Sequence, residues 1–228
     1  MTNKISAYLA LTKPGLTFVS VSTAVGSAYL ASVGTDSLIL LWHVFLGTFI
    51  AGGGAGALNQ YLERDYDARM TRTGLRPLPA HRIAPNNVLI FGLILSTAGC
   101  LYLAFFTTMM AALLTVATLI VYLLIYTPMK RRTPFATVIG GIAGALPPLI
   151  GWTAITGNIS LAALSLFFIL FFWQTPHFLA LAWMYRADYE RAGYKTITVL
   201  DSTGGAASRQ ILIYCTTLVP ASLMPALV

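Results

Sequence analysis

Residues 38–58 read LILLWHVFLGTFIAGGGAGAL, and residues 59–79 continue as NQYLERDYDARMTRTGLRPLP. The first segment contains no Asp, Glu, Lys or Arg. It is long enough to cross the hydrocarbon core of a bilayer, which takes about 20 residues in a helix. The second segment gathers acids, arginines and prolines. A membrane-crossing helix that ends in a charged edge is therefore predicted here, and this pattern decides the fold class.

The rest of the 228-residue chain has the same character. Hydrophobic residues make up 57% and charged residues 9%, where a soluble protein carries roughly 25% charged residues. The mean hydropathy of +0.76 excludes a soluble, a disordered and a coiled-coil protein. We predict an all-α, polytopic transmembrane helical bundle that forms a single domain over residues 1–228. The seven predicted spans are 15–33, 38–58, 87–106, 109–126, 135–155, 160–182 and 210–228.

The basic residues indicate the orientation. All 14 Lys and Arg residues lie in the N-terminal segment or in the connections after the second, fourth and sixth stretches. The connections near 34–37, 107–109 and 156–159 contain none. By the positive-inside rule, the N-terminus and the charged connections are cytoplasmic. The N-terminus has no signal or transit pattern, so a bacterial or archaeal plasma (inner) membrane is expected. These charges favour a membrane surface or an anionic substrate over nucleic acid.

A row of oxygen-bearing side chains follows the second stretch. Asn59, Glu63 and Asp67 are four residues apart, so on a helix they share one face, each about 6 Å above the last. Such ligands suit Mg²⁺, which prefers one or two carboxylates together with substrate phosphates. Arg72 and Arg76 follow, where they would meet an anion. The alternative at this point is an ordinary charged membrane-edge loop.

Two further clusters bear on this choice. Lys130 and Arg131 add cations on the same predicted side of the membrane, where a stop-transfer anchor is the competing interpretation. Gln174 and His177 lie within an apolar stretch, and polar residues inside a membrane usually face a cavity or a partner. A packing role for His177 competes with direct substrate contact. Asp188 is a candidate for a second metal ion or a cation.

Several motifs together resemble one family. The row at 59–67 and the following RTGLRPL at 72–78 are similar to the first acidic motif of the intramembrane UbiA-type prenyltransferase superfamily. Its protohaem IX farnesyltransferase branch is the best match, on the pair Asn59-Gln60 and on the segments LTKP (11–14), YTPMKR (126–131), WQTPHF (173–178) and YRADYERAGY (185–194). Gly15 stands where many members have arginine. Family members have nine spans, so the resemblance implies that the last two are lacking here.

The resemblance implies Mg²⁺-dependent transfer of a farnesyl group from farnesyl diphosphate to the 2-vinyl group of haem b, giving haem O, with haem A synthase as an implied partner. It assigns Asn59, Glu63, Asp67 and Asp188 to the metal, and Arg72, Arg76, Lys130, Arg131, Arg186 and Lys195 to the diphosphate. It places Trp173, Gln174 and His177 near haem or the allylic cation. The implied catalytic set is Asn59, Glu63, Asp67, Asp188, His177 and Tyr126.

Two other functions are weighed against this one. A prenyltransferase of the same type acting on an aromatic quinone precursor is disfavoured by the Asn59-Gln60 pair and the Pro176-His177 motif. A secondary transporter also carries polar intramembrane residues. Here, however, the charges gather at one membrane edge rather than at the midplane, which favours an enzyme acting on an anionic lipid head.

Overall fold

The computed structural model describes residues 4–33 and 38–227, and within these two ranges the regular structure is helical. The connection at 34–37 and residue Val228 lie outside the described residues. The α-helices are α1 (Lys4–Leu11), α2 (Pro14–Ala31), α3 (Leu38–Asp67), α4 (Pro85–Phe106), α5 (Met109–Leu119), α6 (Thr127–Met129), α7 (Ala136–Thr156), α8 (Leu161–Met184), α9 (Arg186–Arg191), α10 (Ile197–Leu200) and α11 (Gly205–Leu223). A π-helical segment (Ile120–Tyr126) joins α5 to α6, and a 3₁₀ turn (Met224–Ala226) follows α11.

The helices confirm the predicted fold class. Five helices in the described ranges are long and apolar enough to cross a membrane: α3, α4, the continuous segment Met109–Met129, α7 and α8. Helices α2 and α11 occupy the other two predicted stretches. The number of seven spans stays a prediction, as do the nine spans implied by the resemblance and the single-domain assignment.

Local sequence signals set several helix ends. Pro14 and Pro85 occupy the first turns of α2 and α4, where a missing N–H costs no intrahelical hydrogen bond. The Ser160 hydroxyl accepts a hydrogen bond from the Ala163 N–H at 3.2 Å and caps α8. Thr108 caps α5 in the same way. Gly157 ends α7 with φ of 74°, a left-handed conformation that glycine adopts without a steric cost.

The long helices form a ring. Helix α2 packs against α3 and α7, α3 against α4, α4 against α5, and α5 against α7, which closes the circle. Helices α8 and α11 extend it from α7. Small residues allow the close approaches, as at the crossing of α3 and α4, where a side chain at Gly99 would overlap Ala51 and one at Gly54 would overlap Ser96. This is the contact expected of small residues in membrane bundles.

The contact between α2 and α7 gives a test of this packing. A methyl group added at Gly151 of α7 would overlap the carbonyl oxygen of Ala24 in α2. Backbone cannot move aside cheaply, so Gly151→Ala is expected to destabilise the bundle by about 2 kcal/mol. Gly26→Ala on α2 meets nothing within 4 Å and should be neutral or stabilising by up to ~1 kcal/mol. Thermal unfolding in detergent measures both, and equal midpoints would contradict the packing.

Helix α3 is longer than its apolar run and carries the polar row out of the hydrocarbon. Its 30 residues span about 45 Å at 1.5 Å per residue, against a hydrocarbon thickness of about 30 Å. The additional turns hold Asn59, Glu63 and Asp67. The connections after α3, α6 and α8 meet at this end of the bundle, as the contacts below show.

Candidate active site at the charged end of the bundle

The row on α3 is buried although it is polar. Asn59, Glu63 and Asp67 are 1%, 4% and 1% exposed. Buried charges are costly unless they are paired, so each of these side chains should have a partner from another element. The structure supplies three cations from three different parts of the chain.

Glu63 is paired with Lys130, which follows α6. The Lys130 Nζ donates to Glu63 Oε1 at 2.8 Å, and the Tyr194 hydroxyl donates to the same oxygen at 3.3 Å. Burial alone would lower the pKa of Lys130, but the Glu63 carboxylate outweighs it and raises the pKa well above its ordinary value. Burial, followed by Glu63, also raises the pKa of Tyr194. Both groups therefore keep their protons and stay hydrogen-bond donors.

Only one of the two Asp67 carboxylate oxygens has a partner among the described residues. The Arg76 Nη1 donates to Asp67 Oδ2 at 2.6 Å. The second carboxylate oxygen, Oδ1, is buried and accepts no hydrogen bond from any described residue. The Thr73 hydroxyl donates to the Asp67 carbonyl at 2.9 Å and so stabilises the turn between Asp67 and Arg76. The chain thus folds Arg76 back onto Asp67 and leaves one anionic oxygen open.

Asn59 is bound by a lysine that the sequence analysis did not assign. The Lys13 Nζ donates to Asn59 Oδ1 at 2.8 Å, and the Asn59 amide donates to Thr127 Oγ1 at 3.3 Å. Lys13 has φ of 46° and ψ of 57°, a left-handed conformation that costs a non-glycine residue about 1–3 kcal/mol. Burial, aided by Arg76, lowers the pKa of Lys13 to about 7. The fold therefore holds Lys13 in a costly backbone conformation and in surroundings that disfavour the charged form of its side chain.

Tyr126 lies beneath the lysine of the ion pair. The Lys130 Nζ sits 4.4 Å from the centre of the Tyr126 ring, within the range of a cation–π contact. Tyr126 ends the π-helical segment, a conformation that is frequent at functional sites. Gly140 on α7 makes room for the ring, since a Cβ there would come 2.6 Å from Tyr126 Cε2. This places Tyr126 beside the ionic cluster, as the predicted set requires.

Asp188 is hydrogen-bonded to residues outside the acidic row on α3. Its carboxylate accepts hydrogen bonds from the backbone N–H groups of Thr71 and Arg72, at 3.3 and 3.2 Å, and from the Arg191 side chain. Burial raises its pKa, but these donors, led by the Arg72 N–H, lower the pKa on balance. Among residues 4–33 and 38–227, no three His, Cys, Asp or Glu side chains come together as a metal site. Asp188 is thus placed as a link between the loop after α3 and helix α9.

The other predicted cations lie around the cluster rather than in it. The Arg131 Nη1 donates to the Tyr66 hydroxyl at 3.1 Å. The exposed Arg72 guanidinium covers the Tyr185 ring at 4.9 Å. The Lys195 N–H donates to the Lys130 carbonyl at 3.0 Å, while the Lys195 side chain is exposed. Arg186 donates to the Ser202 carbonyl at 3.2 Å and lies over the Trp183 ring.

The polar residues of α8 point in different directions. The Gln174 amide donates to the Gly141 carbonyl of α7 and is buried in that interface. Trp173 is 51% exposed, and its ring stacks on that of the exposed His177 with centroids 5.4 Å apart. Gln174 therefore joins two helices, whereas Trp173 and His177 offer an open aromatic face.

Sequence reasoning missed three members of the site: Lys13, Tyr194 and Thr127. Thr127 lies in the quoted YTPMKR segment, but nothing in that segment signals contact with Asn59, 68 residues away. Lys13 and Tyr194 fell inside segments whose resemblance was noted, but 46 and 131 residues separate them from their partners on α3. Only the ring of helices brings such distant positions together.

This arrangement can bind a polyanion. Three partly buried basic side chains, Lys13, Arg76 and Lys130, face two buried carboxylates, Glu63 and Asp67. The basic groups outnumber the carboxylates, and a further anion would favour the charged form of Lys13, whose pKa is lowered to about 7. The open Asp67 Oδ1 and the Asn59 Oδ1 supply hard oxygen donors of the kind that Mg²⁺ takes.

Comparisons with known proteins agree with this chemistry. Residues 19–228 match the model of the UbiA prenyltransferase family. A Protoheme IX farnesyltransferase of Solibacter usitatus is 42% identical, over 96% of this chain and 78% of the relative. The enzyme of the same name from Salinispora tropica is 46% identical, over 96% of this chain and 69% of the relative.

Two solved structures share the fold. One is described as digeranylgeranylglyceryl phosphate synthase, with a TM-score of 0.79 at 18% identity, covering 98% of this chain and 78% of its own. The other is a UbiA homologue from Archaeoglobus fulgidus bound to GPP and Mg²⁺, with a TM-score of 0.76 at 16% identity, covering 94% and 76%. These two likenesses show the fold, and the family match with the two relatives shows that this chain belongs to the UbiA prenyltransferase family and, within it, to the protohaem IX farnesyltransferases.

Proposed function

We propose that this membrane enzyme transfers the farnesyl group of farnesyl diphosphate to the 2-vinyl group of haem b, using Mg²⁺, and so makes haem O. The relatives that share 42% and 46% of its residues carry the name of this activity. The structural observation that carries the proposal is the cluster at the end of α3, with three basic side chains around two buried carboxylates and an open Asp67 Oδ1.

The residues of α3 fit a magnesium ion. Asn59, Glu63 and Asp67 present carboxylate and amide oxygens from one helix face, and Asp67 Oδ1 has no other partner among the described residues. A bound Mg²⁺ would supply Lewis-acid stabilisation of the departing diphosphate. The A. fulgidus homologue was solved with GPP and Mg²⁺, which supports the same use here. We also propose Asp188 as a ligand, and binding a metal ion would require its carboxylate to release the N–H groups of Thr71 and Arg72.

The cations of the cluster stabilise the leaving group. Lys130 and Arg76 already point their donors at oxygens, and Arg131 and Arg72 lie around them. As the carbon–oxygen bond of the substrate breaks, negative charge grows on the diphosphate, and preorganised cations lower the energy of that state most. We assign Arg186 and Lys195 to the outer edge of this site, where they draw the anion in.

The farnesyl cation must be kept from bulk water until it meets its acceptor. Tyr126 lies beside the cluster with the Lys130 ammonium over its ring, and aromatic faces of this kind stabilise cations. The new bond joins the farnesyl carbon to the terminal vinyl carbon. A water molecule adds to the other vinyl carbon and loses a proton, so the products are haem O, diphosphate and one proton.

The haem acceptor is assigned to the exposed aromatic face of α8. Trp173 and His177 stack in an otherwise apolar helix, and a flat aromatic macrocycle packs well on such a surface. Gln174, on the neighbouring face, is committed to the Gly141 carbonyl and is assigned a supporting role in placing α8. The proposal thus divides the site into an ionic half on α3 and an aromatic half on α8.

This division predicts the effect of His177→Ala. The variant is expected to raise the KM for haem about tenfold, through the loss of ring contact, while binding of farnesyl diphosphate stays unchanged. Phe168→Ala on the same helix is the matched control for loss of an aromatic ring. A variant that loses farnesyl diphosphate affinity and keeps its haem KM would place His177 outside the haem site.

One experiment tests the proposed function directly. Membranes that contain the protein are incubated with haem b, farnesyl diphosphate and Mg²⁺, and the porphyrin fraction is analysed by mass spectrometry. The expected result is the mass gain of a farnesyl group plus a hydroxyl group, which converts the vinyl group to hydroxyethylfarnesyl and is lost with EDTA. Conversion of hydroxybenzoate or a naphthoate in place of haem would favour a quinone-precursor prenyltransferase.

The setting of the enzyme follows from its charge distribution. We propose that the charged end faces the cytoplasm of a bacterial or archaeal cell, across the plasma (inner) membrane, because the basic connections meet there. Haem O is then available for an enzyme such as haem A synthase in the same bilayer. The transporter alternative is disfavoured because the ionic cluster lies at one end of the bundle.

A further inference from the structure

Lys13 lies in the LTKP segment, but neither the sequence analysis nor the proposed mechanism gives it a role. It lies between α1 and α2, directly before Pro14. Its φ of 46° belongs to a region that glycine adopts freely and lysine rarely does. A residue that follows α1 and turns the chain into α2 could be glycine on conformational grounds. The lysine side chain therefore needs another reason to be there.

The surrounding contacts hold the lysine in place. Gln60, the residue after Asn59, donates its side-chain amide to the carbonyls of Ala10 and Leu11 at 3.1 and 3.2 Å. Gly56, one turn earlier on α3, lets the same backbone approach, since a Cβ there would come 3.0 Å from the Leu11 oxygen. The backbone before Lys13 is thus fastened to the face of α3 that precedes the acidic row.

The ammonium group is aimed at the acidic row. It contacts Asn59 Oδ1 at 2.8 Å and is influenced electrostatically by Arg76, Glu63, Lys130 and Asp67. Lys130 and Arg76 each have a carboxylate partner. Lys13 is hydrogen-bonded to a neutral amide oxygen, so among the described residues it is the basic group of the cluster that has no carboxylate partner.

A partly buried ammonium without an anionic partner is costly, and the proposed substrate supplies an anion that favours the charged form. If Asn59 Oδ1 turns to a metal ion, it can no longer accept from Lys13. A lysine has a flexible four-carbon stem and three donors, so the released ammonium can reach an oxygen next to its former partner.

We propose that Lys13 is a diphosphate-binding residue, delivered to the site by Gln60 and Gly56, and that its ammonium moves from Asn59 Oδ1 to a diphosphate oxygen when substrate binds. This inference depends on the part of the proposed function that gives the enzyme a diphosphate substrate. It does not depend on which molecule accepts the farnesyl group. It gives the pair Asn59-Gln60 a joint role. Asn59 accepts a hydrogen bond from Lys13 before substrate binds, and Gln60 holds the backbone segment that precedes Lys13.

The test compares Lys13→Gln with Lys13→Arg in detergent-purified protein, without haem. Glutamine keeps a hydrogen-bond donor for Asn59 and removes the charge, so the site should stay folded. Radiolabelled farnesyl diphosphate with Mg²⁺ is expected to bind about 10- to 100-fold more weakly to Lys13→Gln, the range for loss of a hydrogen bond between charged groups. Lys13→Arg should lose far less. Lys4→Gln, an exposed lysine on α1, should bind like the wild type.

A second probe separates this role from a structural one. Mn²⁺ alone, measured by electron paramagnetic resonance without diphosphate, should bind Lys13→Gln at least as tightly as wild type, because a repelling cation has gone. General damage to the site would weaken Mn²⁺ and farnesyl diphosphate together, and that result would overturn the assignment. So would wild-type affinity for farnesyl diphosphate in Lys13→Gln.

A double-mutant cycle tests the part assigned to Gln60. Gln60→Leu alone should weaken farnesyl diphosphate binding, but should add no further loss in the Lys13→Gln background, since it acts through the lysine. Additive losses would remove Gln60 from this role. Wild-type protein that binds farnesyl diphosphate and forms no haem O would reject the proposed acceptor and leave Lys13 in place. Wild-type protein that does not bind farnesyl diphosphate would reject both.

Discussion

Asp67→Asn is expected to lower Mg²⁺-dependent turnover about 10²- to 10³-fold, the effect of removing one preorganised electrostatic group from an active site. Asparagine fills the same space, but it replaces the open anionic Oδ1 with a neutral atom. Insertion into the membrane should not change, because the apolar helices direct it. Haem O formation over a Mg²⁺ titration gives the measurement, and the variant should need far more Mg²⁺.

Asp65→Asn is a close control for this variant. It makes the same chemical change two residues away on α3, at a side chain that is 71% exposed and faces away from the row. We expect turnover within about twofold of wild type, as for most surface substitutions. Full turnover of Asp67→Asn at ordinary Mg²⁺ concentrations would refute a metal role for Asp67.

Lys130→Met should affect stability and turnover together. It leaves Glu63, whose side chain is 6% exposed, without its ion-pair partner, and breaking a buried pair from one side costs about 3–5 kcal/mol. It also removes a cation from the leaving group, so turnover should fall about 10²-fold or more. The thermal midpoint in detergent and haem O formation measure the two effects.

A second substitution separates the effect on stability from the effect on turnover. In Lys130→Met combined with Glu63→Gln, no unpaired carboxylate remains buried, so the thermal midpoint should return most of the way to wild type. Turnover should stay low, because the cation is still missing. Arg132→Met changes an exposed arginine of the same connection and should leave both quantities unchanged. Recovery of turnover in the double variant would show that Lys130 acts only through the fold.

The periodicity of the sequence was sufficient to predict much of the fold. Apolar stretches placed seven long helices of the described residues, with ends correct to within about five residues except at the end of α3, because burial in lipid demands continuous apolar runs and satisfied backbone groups. The prediction ended the second stretch at 58, whereas α3 continues to Asp67. The acids at 63 and 67 do not break the helix, since each is neutralised by a cation from another element.

The sequence predicted the acidic row, but it did not predict all of the residues that pair with it. Spacing alone placed Asn59, Glu63 and Asp67 on one face, because residues four apart lie above one another on a helix. Their partners follow no such rule. Arg76 was predicted from its nearness in sequence, and Lys130 from the resemblance, but Lys13 and Tyr194 were reached only through the packing of α2 and of the α9–α10 connection against α3.

The sequence by itself determined that this protein is a helical membrane bundle with oxygen ligands and cations at one edge, because hydropathy and helical spacing are local properties. The tertiary structure decided which cation meets which oxygen, that Asp188 links two loops, and that Trp173 and His177 are open while Gln174 is buried. Those choices depend on how helices rotate and pack in the ring. Residues far apart in the chain fix that geometry, and no local pattern contains it.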